Sequence, residues 1–323
     1  MEGHYNAKAD KIGVRTNRAF GGAEIAKSPR LNVPLRILPH RPLDSFRVVD
    51  KGRRGYPFST RARQPQIPAR LFQLGIRIIM TPATQASSKA QELPGTRNVV
   101  LVHGAWANSS SWSKVIPLLQ AQGLHVVAVQ MPLTSFADDV ATTLRAIALQ
   151  NGPVLLVSHS YGGAVITEAG NDPKVSGLVY VAAFAPNDGE AVGEMGKDFP
   201  TPPGLSELRP DQDGFLTLTA KGIVEDFAQD LPFAETQVMT ATQGPTNGAA
   251  LGGKITRAAW KTKPSWYVIS ENDRMISPDF ERAMATQIKA KSVSLRSSHV
   301  PMLSHPVDVA QFIGDAASTP RKH

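Results

Sequence analysis

The chain has 323 residues, of which 41% are hydrophobic, and it contains no cysteine. This composition is typical of a globular protein and excludes a chain disordered throughout or a fibrous repeat. Without thiols there is no disulfide scaffold, thiolate zinc site, iron–sulfur cluster or cysteine nucleophile. No apolar run approaches the roughly 18 residues of a membrane span, and the polar N-terminus does not resemble a secretory signal. The expected location is cytoplasmic.

The positive charge of the chain is concentrated at its N-terminus. The formal net charge is +8; residues 1–79 hold 16 Lys and Arg against 5 Asp and Glu, and the other residues hold 19 and 22. The chain from residue 80 therefore has no electrostatic reason to bind nucleic acid. Because residues 1–79 are poor in apolar runs, we expect a disordered extension, with Met80 as the favoured true start. The alternatives are a presequence and a basic arm that binds nucleic acid or a membrane.

After a linker at residues 80–97, strand-like and helix-like segments alternate. Short β-branched runs predict buried parallel strands, and longer amphipathic segments predict helices between them. The predicted elements are strand 98–102, a helix ending at Gly123, strand 125–130, helix 136–149, strand 154–157, helix 164–169, strand 175–184, strand 265–270, helix 278–290, strand 292–296 and helix 306–317.

This alternation indicates an α/β protein with a six-stranded, mostly parallel, doubly wound sheet. Residues 98–185 and 263–317 are expected to form its core. Residues 186–262 interrupt the alternation with Pro, Gly and acidic residues, and are expected to be an insertion. Residues 318–323 are left as a tail.

The strongest chemical signal is the sequence SHSYGG at residues 158–163, directly after a predicted buried strand and before a helix. A nucleophile elbow requires this strand–turn–helix context, with small residues two before and two after the nucleophile. Ser158 replaces the first glycine of the usual G-x-S-x-G pattern and is still small. We therefore predict Ser160 as a nucleophile, against the alternative of a turn that only connects the two elements.

A serine hydroxyl is a weak nucleophile and needs a base. His299 follows the last predicted sheet strand, where the serine–acid–histidine chain order expects the base. Asp273 follows strand 265–270 and is the first choice for the acid, which would orient the imidazole. Glu271 is the neighbouring competitor, and Asp188, after the preceding core strand, is the distant one. The alternatives are a surface-loop histidine and an aspartate that only caps a turn.

The loop after the first strand, HGAW at residues 103–106, is a candidate for one half of an oxyanion hole. Gly104 allows the backbone to approach a substrate closely. Two backbone N–H groups are needed; we predict those of Tyr161 and Ala105, with Trp106 as a less favoured donor. His103 is expected to be a buried scaffold residue. Trp106 is predicted to wall the substrate pocket, although tryptophans in such positions more often serve packing.

Together these motifs resemble the α/β-hydrolase superfamily. The sequences HGAW at 103–106, SHSYGG at 158–163, DRMI at 273–276 and SHVPMLS at 298–304 occur in the order of that family. More narrowly, they resemble bacterial esterases similar to plant methyl-ester esterases and hydroxynitrile lyases. The resemblance covers residues 98–317 and implies an α/β-hydrolase fold whose helical cap, residues 186–262, lies between the fourth and fifth strands.

The resemblance implies a serine carboxylesterase that acts on small apolar esters through an acyl-enzyme, with no cofactor and no metal. Lyase members carry a threonine after the first-strand histidine and a lysine after the catalytic histidine. Here Gly104 and Val300 occupy those positions, so an esterase is favoured over a lyase. A non-catalytic small-molecule-binding module is the other alternative. The expected partner is a small-molecule ester, with no nucleic acid for the core, no membrane span and a homo-oligomer left open.

Overall fold

The computed structural model describes residues 95–320, so the expectations for residues 1–79 and for most of the linker lie outside the described residues. The strands, in chain order, are β1 (Asn98–Val102), β2 (His125–Val129), β3 (Val154–Ser160), β4 (Val175–Ala183), β5 (Leu208–Pro210), β6 (Phe215–Leu218), β7 (Thr246–Asn247), β8 (Ser265–Ser270) and β9 (Lys291–Leu295).

Six of these strands form one parallel sheet in the order β2-β1-β3-β4-β8-β9. β1 lies between β2 and β3, so that Val100 is opposite both Val127 and Leu156. β1 and β3 are buried along their whole length, because helices cover both faces of the sheet. The predicted six-stranded, doubly wound α/β fold is confirmed.

The helices fill the connections between these strands. They are α1 (Ile116–Ala121), α2 (Phe136–Ala148), α3 (Gly162–Ala169), α4 (Ala220–Gly222), which continues as a π-helical turn (Ile223–Phe227), α5 (Phe233–Thr242), α6 (Gly248–Leu251), α7 (Pro278–Gln287), α8 (Pro301–Ser304) and α9 (Pro306–Ser318). Short 3₁₀ turns occur at Ser109–Trp112, Val192–Glu194, Pro203–Glu207 and Ala259–Lys261.

Most boundaries agree with the sequence expectation within two residues, and two of them differ by three. β3 continues three residues past the predicted end at 157, because Ser158 and His159 still pair with β4. α7 ends at Gln287 rather than at 290. Lys289 adopts a φ of +52°, a left-handed conformation that cannot continue a right-handed helix.

The segment between β4 and β8, expected to be a helical cap, is not composed of helices alone. It also contains a three-stranded antiparallel sheet in the order β5-β6-β7. These strands are two to four residues long, too short to leave a period-two hydrophobic pattern in the sequence. From here on the cap means residues 184–264, the whole segment between β4 and β8, which extends two residues beyond the expected 186–262 at each end.

The parallel sheet brings the carboxyl ends of its strands to one edge, where ligands bind in open α/β sheets. The loops after β1, β3, β8 and β9 carry the predicted site residues. These loops therefore meet at one place although they are far apart in the sequence. Among the described residues, no helix is long and apolar enough to cross a membrane.

Candidate active site

Ser160 is the last residue of β3 and lies on a sharply turned backbone. Its φ is +52°, a left-handed conformation that is strained for a residue with a side chain. The turn is possible because two glycines follow. A Cβ on Gly162 would lie 2.5 Å from the carbonyl oxygen of His103, and one on Gly163 would collide with the carbonyl oxygen of Phe184. The backbone thus has the geometry of a nucleophile elbow.

Three predicted side chains form a continuous hydrogen-bonded relay. The Nε2 atom of His299 lies 2.9 Å from the Ser160 hydroxyl oxygen, and its Nδ1 atom lies 2.6 Å from Oδ2 of Asp273. Ser160, Asp273 and His299 are 4%, 6% and 0% exposed. In this geometry an imidazole can accept the hydroxyl proton while a carboxylate orients the ring.

The competing acids lie elsewhere. Glu271 is exposed, and only its backbone N–H is held, by the carbonyl of Leu295. Asp188 is exposed on the cap, where it accepts hydrogen bonds from the Ala258 N–H at 2.6 Å and from Lys261 at 2.8 Å. Asp273 is the acid that the structure brings to His299.

Asp273 is itself held rigidly. Its second oxygen, Oδ1, accepts hydrogen bonds from the backbone N–H groups of Met275, at 2.6 Å, and Ile276, at 2.9 Å. The carboxylate therefore satisfies the turn after β8 with one oxygen and faces His299 with the other. The turn-capping role considered from the sequence and the contact with the histidine are combined in the same side chain.

The two predicted oxyanion donors flank Ser160. Neither the Ala105 N–H nor the Tyr161 N–H has a hydrogen-bond partner within the described part of the chain. The Trp106 N–H, in contrast, donates to the Thr246 hydroxyl of the cap at 3.1 Å. A Cβ on Gly104 would lie 2.6 Å from the Cβ of Ser160, so the loop after β1 approaches the elbow closely. Ala105 rather than Trp106 is thus left with an unpaired amide.

Two buried polar side chains support these donors, of which the sequence had indicated His103 but not Asp139. The carboxylate of Asp139, in α2, accepts hydrogen bonds from the Tyr161 hydroxyl at 2.8 Å and from the Leu133 N–H at 2.9 Å. His103 bonds the Gly104 carbonyl through Nδ1 and accepts the Met131 N–H on Nε2. This requires a neutral ring, and burial lowers the pKa of His103 to about 4. His103 is the buried scaffold residue expected from the sequence.

His159, inside the elbow, packs against the base of the relay. Its ring centroid lies 4.6 Å from that of His299, and its Nε2 atom donates to the His299 carbonyl at 2.8 Å. Burial, followed by the proximity of His299, holds the pKa of His159 well below its usual value. Phe227 of the cap contacts His299 edge-on at 5.0 Å. His299 thus packs against two rings, whose own centroids lie 6.1 Å apart.

The cap is fastened to the loops that carry Asp273 and His299. Asp226 pairs with Arg274 at 2.6 Å, the Gln229 amide donates to the Asn272 carbonyl at 2.7 Å, and the Asp230 carboxylate accepts the Ser298 N–H at 2.8 Å. All three cap residues lie in or just after the π-helical turn. The sequence did not predict these contacts, because a π-helical turn has no characteristic residue pattern.

A cavity of about 300 Å³ lies between α5 and the turn at Ser109–Trp112. Trp106, the predicted pocket residue, lines it together with apolar residues of both sides. Ser160, Asp273 and His299 are not among the lining residues. Across residues 95–320 no cluster of three or more His, Asp or Glu side chains is placed to hold a metal ion.

Solved structures share this fold. A pyrethroid hydrolase from Sphingobium faniae JZ-2 superposes with a TM-score of 0.61 at 24% identity, covering 70% of this chain and 98% of the other. Polyneuridine aldehyde esterase gives a TM-score of 0.60 at 18% identity, covering 68% and 98%. At this identity the likeness establishes the architecture alone.

Curated sequences extend the comparison. A pyrethroid hydrolase of Sphingobium wenxiniae is 26% identical, covering 70% of this chain and 89% of its own length. Methylesterase 8 of Arabidopsis thaliana is 25% identical over 73% and 94%, and an Arabidopsis alpha-hydroxynitrile lyase is 26% identical over 64% and 92%. The profile of the Alpha/beta hydrolase family matches residues 99–312. Because that match covers well over half of the chain and every strand of the main sheet, the chain belongs to the alpha/beta hydrolase family.

Proposed function

We propose that the protein is a serine carboxylesterase that acts on small apolar esters. The observation that carries the proposal is the relay in which His299 lies 2.9 Å from the Ser160 hydroxyl and 2.6 Å from Asp273. The names of several relatives, such as methylesterase 8 and a methyl jasmonate esterase of Vitis vinifera, are in keeping with ester hydrolysis.

In the proposed reaction the Ser160 oxygen attacks the ester carbonyl carbon while Nε2 of His299 takes the hydroxyl proton. Asp273 keeps the Nδ1 proton in place and stabilises the imidazolium. As the tetrahedral intermediate collapses, His299 returns its proton to the departing alcohol and Ser160 carries the acyl group. Water then attacks the acyl carbon while His299 takes its proton, and His299 returns that proton to the Ser160 oxygen as the acid is released.

The negative charge that develops on the carbonyl oxygen needs donors that are already oriented. The unpaired N–H groups of Ala105 and Tyr161 are suited to this role. The Asp139–Tyr161 bond holds one of them, and the His103–Gly104 bond holds the other. No cofactor or metal is needed for any step of this route.

The proposed preference for small apolar esters draws on the cavity lined by Trp106, the residue that follows the proposed oxyanion donor Ala105. At about 300 Å³ it is at the lower limit of ordinary ligand pockets. Trp106, Val238, Met239 and Leu303 give much of its wall an apolar character. Such a wall favours a hydrocarbon acyl or alcohol group over a charged one.

A lyase is the less favoured reaction. Val300 follows His299 and is buried and apolar, so it provides no charge to hold a cyanide leaving group. Gly104 likewise has no hydroxyl to bond a cyanohydrin. The site is better suited to water-dependent acyl transfer.

The test is hydrolysis of p-nitrophenyl acetate, followed by a panel of esters of varied acyl and alcohol length. Ser160→Ala should lower kcat by at least about 10³-fold without loss of fold, because members of a triad act as a unit. Ser158→Ala, two residues away and bonded only weakly to the Val179 carbonyl at 3.4 Å, is the matched control and should stay close to wild type.

Labelling of Ser158 by a serine-directed phosphonate, or full activity of Ser160→Ala, would refute the assignment. A protein that binds the ester panel without hydrolysing it would instead be a receptor. Cleavage of a cyanohydrin without ester hydrolysis would identify a lyase.

A further inference from the structure

Glu281 is a buried carboxyl group that the proposed reaction does not use. It lies in the first turn of α7, where an acidic residue ordinarily faces solvent, yet it is 0% exposed. Its Oε2 atom accepts the Ser270 N–H at 2.9 Å. Its Oε1 atom is buried and receives no donor from the described residues. A buried carboxylate oxygen without a donor is costly, so this oxygen requires an explanation.

Glu281 lies beside Asp273, because the N–H of Ser270 donates to Glu281 while the carbonyl of Ser270 accepts the Asp273 N–H at 3.2 Å, and the two carboxyl groups interact. Two buried carboxyl groups in contact cannot both be ionised, and one of them retains a proton. Asp273 accepts three N–H groups, from Met275, Ile276 and His299, whereas Glu281 accepts one. The negative charge is therefore better stabilised on Asp273, and the proton resides on Glu281.

The electrostatic surroundings agree with this assignment. Burial, and next the charge on Asp273, raises the pKa of Glu281 well above its usual value. The other ionisable groups near Glu281 are Tyr267 of β8 and Arg282 of its own helix. Arg282 is half-exposed and paired with Asp279, so it does not neutralise the buried pair.

We propose that Glu281 is a positioning residue, whose neutral carboxyl donates its Oε1–H to Asp273 while Oε2 accepts the Ser270 N–H. This inference rests on the proposed function, since it adds a fourth member behind the Ser160–His299–Asp273 relay. The added hydrogen bond fixes the plane of the Asp273 carboxylate against the imidazole ring. Loss of the Glu281 proton would place two like charges in contact and disturb the orientation of His299.

The test compares two substitutions of Glu281. Glu281→Gln keeps both contacts, because the amide N–H donates to Asp273 and the amide oxygen accepts the Ser270 N–H, so kcat should stay near wild type. Glu281→Leu has a similar volume but no donor, and kcat should fall about 10- to 100-fold with KM little changed. Glu271→Gln, an exposed glutamate two residues from Asp273, is the matched control and should have no effect.

Infrared difference spectroscopy gives a readout that does not depend on activity. The wild type at neutral pH should show the carbonyl stretch of a protonated carboxylic acid, shifted in D₂O. This band should be absent from Glu281→Gln and retained in Ser160→Ala. If the band disappears over some pH range as Glu281 loses its proton, kcat of the wild type should fall over the same range. The kcat of Glu281→Gln should not.

The proposal is overturned if the wild type and Glu281→Gln show the same infrared spectrum, or if Glu281→Gln loses as much kcat as Glu281→Leu. If Glu281→Leu fails to fold, the proposal is still tested by the infrared band of the wild type and by the activity of Glu281→Gln. An active Ser160→Ala would refute the proposed function, but the infrared band would still report the protonation of Glu281. The two failures are therefore distinguishable.

Discussion

Asp273 illustrates how much depends on the hydrogen bonds of one side chain. It accepts two backbone N–H groups and His299 simultaneously, so its carboxylate has a single orientation. A charged group held in this way stabilises an imidazolium at little further cost in reorganisation. Asp188, which has the same chemistry, is exposed and committed to Lys261 and Ala258.

Asp273→Asn should therefore lower kcat by about 10³- to 10⁴-fold with KM little changed, because an amide permits the wrong histidine tautomer. Asp188→Asn should stay within about twofold of wild type, as is usual for a surface change. Steady-state kinetics of both variants on one ester is the measurement. A damaging Asp188→Asn with a mild Asp273→Asn would place the acid on the cap.

The residues of the relay could be predicted because each has a local signature, namely a position at the end of a strand. Glu281, His159 and Asp139 could not. Their local sequence carries no sign of these roles, which arise from contacts with residues on other elements. Asp139 and Tyr161, for example, are 22 residues apart and meet only when α2 packs on α3.

Among the elements, the junction of β3 and α3 is packed so tightly that it leaves little space for a larger side chain. β3, β4 and α3 approach so closely there that Gly163 sits against the Phe184 backbone. The same crowding forces Ser160 into its left-handed conformation. The sequence indicated this element well, because an elbow needs small residues at fixed positions.

Gly163→Ala should lower the free energy of unfolding by about 1–3 kcal/mol or more, since the added methyl group meets backbone that cannot move away cheaply. Activity should fall with it, as the elbow shifts. Gly193→Ala is the control, because there a Cβ would lie 3.5 Å from the nearest atom, the Leu251 carbonyl oxygen. Melting curves and ester assays of both variants test this. Equal stability of the two proteins would contradict the crowding.

The internal structure of the cap was the part of the fold that the sequence predicted least well. Its place between β4 and β8 followed from the break in the strand–helix alternation. Its small antiparallel sheet and π-helical turn did not, because strands of two to four residues carry no periodicity. The bond from the Trp106 N–H to Thr246, which occupies that amide and leaves Ala105 as the proposed donor, depends on this small sheet.

At the scale of the whole molecule, buried histidines make the free energy of unfolding depend on pH. His103 has a pKa of about 4 in the folded protein, against 6.5 for an accessible ring. Between these values the unfolded chain binds a proton that the folded chain does not, so the free energy of unfolding decreases as pH falls from 6.5 to about 4. His159, also held neutral by burial, acts in the same direction.

The contribution of His103 to this loss is about 3 kcal/mol at most, at 1.36 kcal/mol for each unit of pKa. His103→Gln cannot titrate, so its unfolding free energy should change less over this pH range. Urea unfolding at several pH values gives the slopes. His125→Gln, at the exposed first residue of β2, is the control and should follow the wild type. A His103→Gln slope as steep as that of wild type would contradict this account.

The distances that the relay spans along the chain have a consequence for how the protein is made. His299 and Ser160 are 139 residues apart in sequence, and β9 is the last strand of the sheet. Synthesis proceeds from the N-terminus, and contacts between distant segments form late in folding. The elbow is thus present on the ribosome well before its base has been translated. On the mechanism proposed here, a nascent or C-terminally truncated chain has no means to activate its serine, and hydrolysis begins only when the final strand has docked.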